Sequence, residues 1–71
     1  MELWIARDKS GVLNLFNDKP EISPYGHNYF CCAGGVFYEG EYITIDRTLF
    51  PQVTWENSPQ RVRIELMEEG K

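Results

Sequence analysis

Two cysteines, one histidine and no long apolar run set the first limits on what this chain can do. Cys31 and Cys32 are adjacent, so on an extended strand their side chains point to opposite faces. They form neither a disulfide framework nor the Cys-x-x-Cys pair that lets one thiolate attack while the other resolves. His27 is the single imidazole, whereas structural zinc wants four ligands, usually in spaced pairs. Buried structural cysteines are the expectation, and no cofactor is implied. A metal or thiol site at His27, Cys31 and Cys32 stays as an alternative that needs a carboxylate or a second subunit to complete it. No run approaches the roughly 18 apolar residues of a membrane span. Met1 is followed by Glu2-Leu3-Trp4-Ile5 with no basic leader, so the chain reads as a complete product retained in the cytoplasm, with no membrane partner.

Catalytic patterns are also missing. Ser23 lies near His27, but nothing adjacent would orient that pair into a nucleophile and base. Glu39 and Glu41 flank a turn and should be solvated. Gly34-Gly35 is not followed by a Gly-Lys-Ser/Thr element, so no phosphate cradle is implied. A chain of 71 residues has little room for a deep pocket, and an enzyme is not expected.

What is present is a rich supply of aromatics in an acidic background. The formal net charge is −4, which disfavours nucleic acid and anionic lipid at long range. The carboxylates are scattered, and Glu68-Glu69 reads as a solvated tail. A single domain of this size buries roughly 60% of its unfolded surface, so its core is thin. Four phenylalanines, four tyrosines and two tryptophans exceed what such a core needs.

The opening of the chain carries the clearest local signal. Glu2 to Arg7 and Val12 to Asn17 read as strands joined through Asp8-Lys9-Ser10-Gly11. Asp suits the first position of a type I turn, and Gly supplies the positive φ of the bulge that follows. A three-residue hairpin loop sets Trp4 opposite Phe16, Ile5 opposite Leu15 and Arg7 opposite Leu13. Leu3, Ile5, Leu13 and Leu15 then share one face, and Trp4, Ala6, Val12 and Phe16 the other. Either both faces are covered, or the Trp4/Phe16 face is open to a partner.

Further along, Pro20 ends the second strand and Glu21 to Asn28 reads as a loop. Tyr29 to Ala33 and Val36 to Tyr38 are strand candidates around a bend or bulge at Gly34-Gly35. A tight turn at Glu39-Gly40 would set Phe37 against Tyr42 and Val36 against Ile43, with Tyr42 to Ile45 returning. Asp46 suits the N-cap of one short helical turn over Arg47 to Phe50, stopped by Pro51. Val53 to Glu56 reads as extended. Arg61 to Met67 alternates as a half-buried strand, with Val62, Ile64 and Leu66 on one face. The whole describes a mainly all-β domain: a small curved antiparallel sheet, or a barrel-like closure, of about five or six strands.

The run Leu3-Trp4-Ile5-Ala6-Arg7-Asp8-Lys9-Ser10-Gly11-Val12-Leu13-Asn14-Leu15-Phe16, then Lys19-Pro20, then Leu49-Phe50-Pro51-Gln52-Val53-Thr54-Trp55-Glu56 with Pro59, resembles a group of short uncharacterised bacterial and phage proteins. The resemblance leaves Glu21 to about Gly40 unmatched. It implies a compact accessory protein and carries no binding or catalytic residues.

The functional expectation is a non-catalytic interaction module with a protein partner or a second copy of itself. Its surface would comprise Trp4, Phe16, Trp55, Arg61 and Arg63. Two alternatives stand beside it. As an acidic accessory protein of a mobile element, the chain would line carboxylates along one face, mimic a nucleic-acid backbone and inhibit an enzyme that binds one. Bases could instead stack on the aromatics beside a patch of Arg7, Arg61 and Arg63.

Overall fold

The computed structural model describes residues 2–63. The expected continuation of the last strand through Ile64 to Met67, and the Glu68-Glu69 tail, lie outside the described residues.

The fold is all-β, built from β1 (Glu2–Arg7), β2 (Leu13–Phe16), β3 (Glu21–Ile22), β4 (Phe30–Cys31), β5 (Tyr42–Ile45) and β6 (Gln60–Arg63). Four strands form an antiparallel sheet in the order β5-β2-β1-β6, and β3 and β4 form a separate antiparallel pair. The four-stranded sheet stays open, so the barrel-like alternative gives way to two sheets.

The first hairpin forms in the expected register, with Trp4 opposite Phe16, Ile5 opposite Leu15 and Arg7 opposite Leu13. Its turn is closed by the Asp8 amide donating to the Val12 carbonyl at 2.8 Å and the Gly11 amide donating to the Asp8 carbonyl at 2.9 Å. Gly11 sits at φ 101°, a conformation that a Cβ would strain. The pairing of β2 with β5 is specified on its inner face by the Thr44 hydroxyl, which donates to the buried Asn14 side chain.

Both faces of this hairpin are covered. On one, Ile5, Leu13 and Val53 are buried together, with Leu15, Ile45 and Val62 packed against them. On the other, Ala6 and Phe16 are buried with Phe30 and Cys32, flanked by Trp4, Tyr42 and Trp55. The small β3–β4 sheet therefore serves as the lid of the Trp4/Phe16 face. Asp8 fastens it: its Oδ1 accepts from the Phe30 amide at 2.9 Å, and the adjacent Lys9 amide donates to the Asn28 carbonyl at 3.0 Å.

Several local expectations are corrected. Arg47 to Phe50 is a turn and not a helical turn. Asp46 accepts from the Thr48 amide and hydroxyl, as a cap would, and the Leu49 amide donates to the Asp46 carbonyl. Phe50 then takes φ 52° and ends any helical path. Val53 to Glu56 is not a strand. Thr54 and Asn57 satisfy each other's amides through their side chains, which favours a local turn over a ladder. The loop expected over Glu21 to Asn28 contains β3, because Glu21 and Ile22 pair with Cys31 and Phe30. Val36 to Tyr38 forms only an isolated bridge, Val36 with Cys32, so Val36 does not face Ile43. The bend at Gly34-Gly35 is the turn between them, with both glycines at positive φ. A Cβ on Gly35 would lie 3.0 Å from Pro24.

The irregular segment 46–53 is held by one side chain. Arg7 extends from the Ile5 face of β1, and its Nε donates to the Val53 carbonyl. Nη1 donates to the Gly11 and Arg47 carbonyls at 3.0 and 2.9 Å, and Nη2 to those of Leu49 and Phe50 at 2.9 and 3.0 Å. A guanidinium has five N–H donors in a fixed fork, and here every one meets a backbone oxygen. Lysine offers three donors on a flexible stem and cannot reproduce the fork. Arg7→Lys should therefore lower stability by about 2–3 kcal/mol in urea unfolding, since charged hydrogen bonds are each worth roughly 1.5–3 kcal/mol and add incompletely. Amide exchange should accelerate over 46–53 more than over the β1–β2 ladder. An unchanged unfolding midpoint would contradict the role given to Arg7.

Candidate functional site

Of the residues expected to form an interaction surface, Phe16 is buried, Trp4 and Trp55 are half-buried, and Arg61 and Arg63 are exposed. Trp4 lies opposite Phe16 on one side and Arg61 on the other, and Arg63 lies opposite Glu2. Trp55 joins them from the 54–57 turn, its ring 5.2 Å from that of Phe30. Phe16 is only 1% exposed, so it supplies no outward surface. Trp4 is half-buried between two cations, with Lys19 Nζ 5.6 Å and Arg61 Cζ 5.5 Å from its ring centre. Arg61 also meets Glu2 at 3.5 Å, an exposed pair worth little by itself. The expected patch of Arg7, Arg61 and Arg63 is not assembled. Arg7 projects from the opposite face and is engaged with carbonyls.

The exposed aromatic surface lies elsewhere, on the segment between β4 and β5. Phe37 packs at 5.9 Å against Tyr29 and at 5.0 Å against Tyr42, whose ring stacks in turn at 6.0 Å on Phe16. This chain of rings runs from the core to the surface and fixes Phe37 while leaving it 44% exposed. Tyr38 beside it is 56% exposed, and Tyr25 81%. The expected approach of Phe37 to Tyr42 is present, although no strand pairing carries it.

Next to these rings is a cleft of about 430 Å³. Its apolar lining comes from Phe16, Cys32, Ala33 and Tyr38, and its acidic groups are Asp18, Glu39 and Glu41. Phe16 ends β2 and Asp18 follows it, Cys32 and Ala33 come just after β4, and Tyr38, Glu39 and Glu41 come from the segment before β5. All three acidic residues are exposed, and their carboxylates make no hydrogen bond or ion pair with any described residue. The solvation expected of Glu39 and Glu41 is present. Their convergence with Asp18 depends on β5 pairing with β2, which no local signal announces.

His27, Cys31 and Cys32 are dispersed. His27 is exposed in the 23–29 loop at φ 60°. Cys31 is fully buried with its Sγ 3.6 Å from the Glu21 carbonyl, whereas Cys32 packs in the Phe16 core and lines the cleft. Among the described residues, no three His, Cys, Asp or Glu side chains are grouped as metal ligands. Ser23 is buried, and its hydroxyl accepts from the Tyr25 amide. Burial, and then the charges of Glu21, Cys32 and Asp8, push the Cys31 thiol above its ordinary pKa. Among the described residues, no helix is long and apolar enough to cross a membrane.

Comparison of the chain with protein-family models, with curated proteins and with solved structures finds no match.

Asp8 and Asp46 give opposite pH signatures. Burial raises the Asp8 carboxyl above its ordinary pKa, only partly offset by the Phe30 amide. Its charge is therefore a burden on the fold at neutral pH, relieved as pH falls through the raised pKa toward 3.8. The Thr48 bonds lower Asp46, whose contribution is present above 3.8 and lost as pH falls through its lowered pKa. Asp8→Asn retains an oxygen acceptor for Phe30 without the charge, so the variant should gain on wild type at pH 7 and lose that advantage towards pH 4. Denaturant melts at the two pH values check this, and a pH-independent difference would contradict it. For the thiols, brief alkylation of the native protein should label Cys32 before Cys31, read by peptide mass spectrometry.

Proposed function

We propose that this chain is a non-catalytic, cytoplasmic interaction module that docks a protein partner through Phe37 and Tyr38. The carrying observation is that Phe37 stands roughly half exposed on a ring network anchored in the core, with Tyr38 exposed beside it. Aromatics held in place this way lose little side-chain entropy on binding, which is why they dominate interface energetics. The non-catalytic part of the proposal draws on the dispersal of His27, Ser23 and the two cysteines. Two free thiols and no disulfide among the described residues support a reducing compartment. The resemblance to short bacterial and phage proteins is consistent with an accessory role.

The same rings do not favour nucleic acid, because the charged residues that share the cleft with Tyr38 are Asp18, Glu39 and Glu41 and not a basic groove. The nucleic-acid-mimic reading asks for carboxylates in regular array. Of those described, Asp8 is buried, Asp46 is engaged with Thr48 and Glu2 with Arg61. Self-association is a second reading, favoured by β5, which is an edge strand of the sheet with Ile43 60% exposed.

A tagged pull-down from host lysate tests the first reading. Specific capture should survive nuclease and be lost in Phe37→Ser/Tyr38→Ser, with folding checked by circular dichroism. Capture that nuclease abolishes would contradict it. Melting temperature that rises with protein concentration would instead favour self-association.

A further inference from the structure

The cleft beside Tyr38 unites apolar lining with three carboxylates. Its floor is built from Phe16, Cys32, Ala33 and Tyr38, the first of them fixed in the core. Asp18, Glu39 and Glu41 stand at its edge with no cationic partner among the described residues. Lys19, next to Asp18 in sequence, is directed elsewhere and lies over Trp4, and Arg61 divides between Trp4 and Glu2. Carboxylates that line one cleft without a counter-charge favour a cation that enters it.

We infer that this cleft receives a lysine or arginine side chain from a basic segment of the protein partner. This rests on the interaction reading above and names the chemistry of the partner. The side chain suited to such a site has a long aliphatic stem and a charged head, which is the division that lysine and arginine present. The stem lies on Ala33 and the edge of Cys32, the head sits among the carboxylates at the rim, and the Tyr38 ring offers a face to the cation. The flanking contacts fall on Phe37 and Tyr38, so the anchor and the aromatic surface form one continuous footprint. An anionic, apolar or nucleic-acid ligand would leave the three carboxylates unpaired or repelled. The overall charge of −4 draws a basic segment toward the molecule, and the cleft gives it a specific place to bind.

The probe is a fluorescein-labelled peptide, Gly-Lys-Gly-Lys-Gly-Lys, with its Glu counterpart as control. Anisotropy should report binding of the Lys peptide alone, weakening as salt is raised. Glu39→Gln/Glu41→Gln should weaken it by about tenfold, the order expected for losing two charge contacts. Glu2→Gln/Glu56→Gln removes the same net charge away from the cleft and should change affinity by less than about twofold. Cys32, in the cleft wall, supplies an independent readout: saturating Lys peptide should slow its alkylation. Equal weakening by both double variants, binding without protection of Cys32, or no binding at about 1 mM peptide would each overturn the inference. The interaction reading is tested apart from it: nuclease-resistant capture lost in Phe37→Ser/Tyr38→Ser but retained in Glu39→Gln/Glu41→Gln would keep that reading and remove this one.

Discussion

The fold depends on a single guanidinium meeting five backbone carbonyls. A chain of this size cannot surround a four-stranded sheet with further regular structure, and one of its two covers is an irregular segment. Such a segment has carbonyls with no ladder to satisfy them. Arg7 gathers those of Arg47, Leu49, Phe50 and Val53, together with Gly11 of the hairpin turn. It thereby holds Val53 over Ile5 and Leu13. The fork also fastens the cover to the hairpin, whose own turn closes between Asp8 and Val12. Arginine is thus a structural element here, and its charge is answered by carbonyl dipoles without an acidic partner among the described residues.

On the opposite face Asp8 does the corresponding work for the β3–β4 lid, through one bond to the Phe30 amide. Arg7 and Asp8 are neighbours in sequence and together attach both covers to one hairpin. That arrangement places Phe30, Cys32 and Trp55 over Trp4 and Phe16 and brings the residues after β4 close to those before β5. The cleft and the ring network of Tyr29, Phe37 and Tyr42 arise at this junction. The surface proposed for a partner is therefore a consequence of how the second sheet is fastened, and its rings are held by the core and not by a flexible loop.

The sequence was most legible where local chemistry is sufficient. The hairpin turn at Asp8 to Gly11 dictates its own register, and every cross-strand pair of β1 and β2 follows from it. Legibility failed where a local signal has two outcomes. Asp46 bonding two residues ahead is common to a helix N-cap and to an Asx turn, and the choice is made by Arg7, some 40 residues away. The Trp4/Phe16 face has two outcomes in the sequence, covered or open, and the second sheet decides it: Phe16 is buried, while Trp4 and Trp55 are half-buried. Glu39 and Glu41 were read correctly as solvated, yet the third acid of the cleft, Asp18, is about twenty residues away and joins them only through the β2–β5 pairing.

The most direct test of this account is a nitrogen-15 NMR spectrum of the Arg7 side chain. A guanidinium bonded at all five N–H positions cannot rotate freely about its Nε–Cζ and Cζ–Nη bonds. The account predicts a slowly exchanging Nε–H and four separately resolved Nη protons for Arg7, unlike Arg61 on the exposed face. A single averaged Nη signal that exchanges rapidly with water would contradict it and leave the 46–53 cover without its anchor.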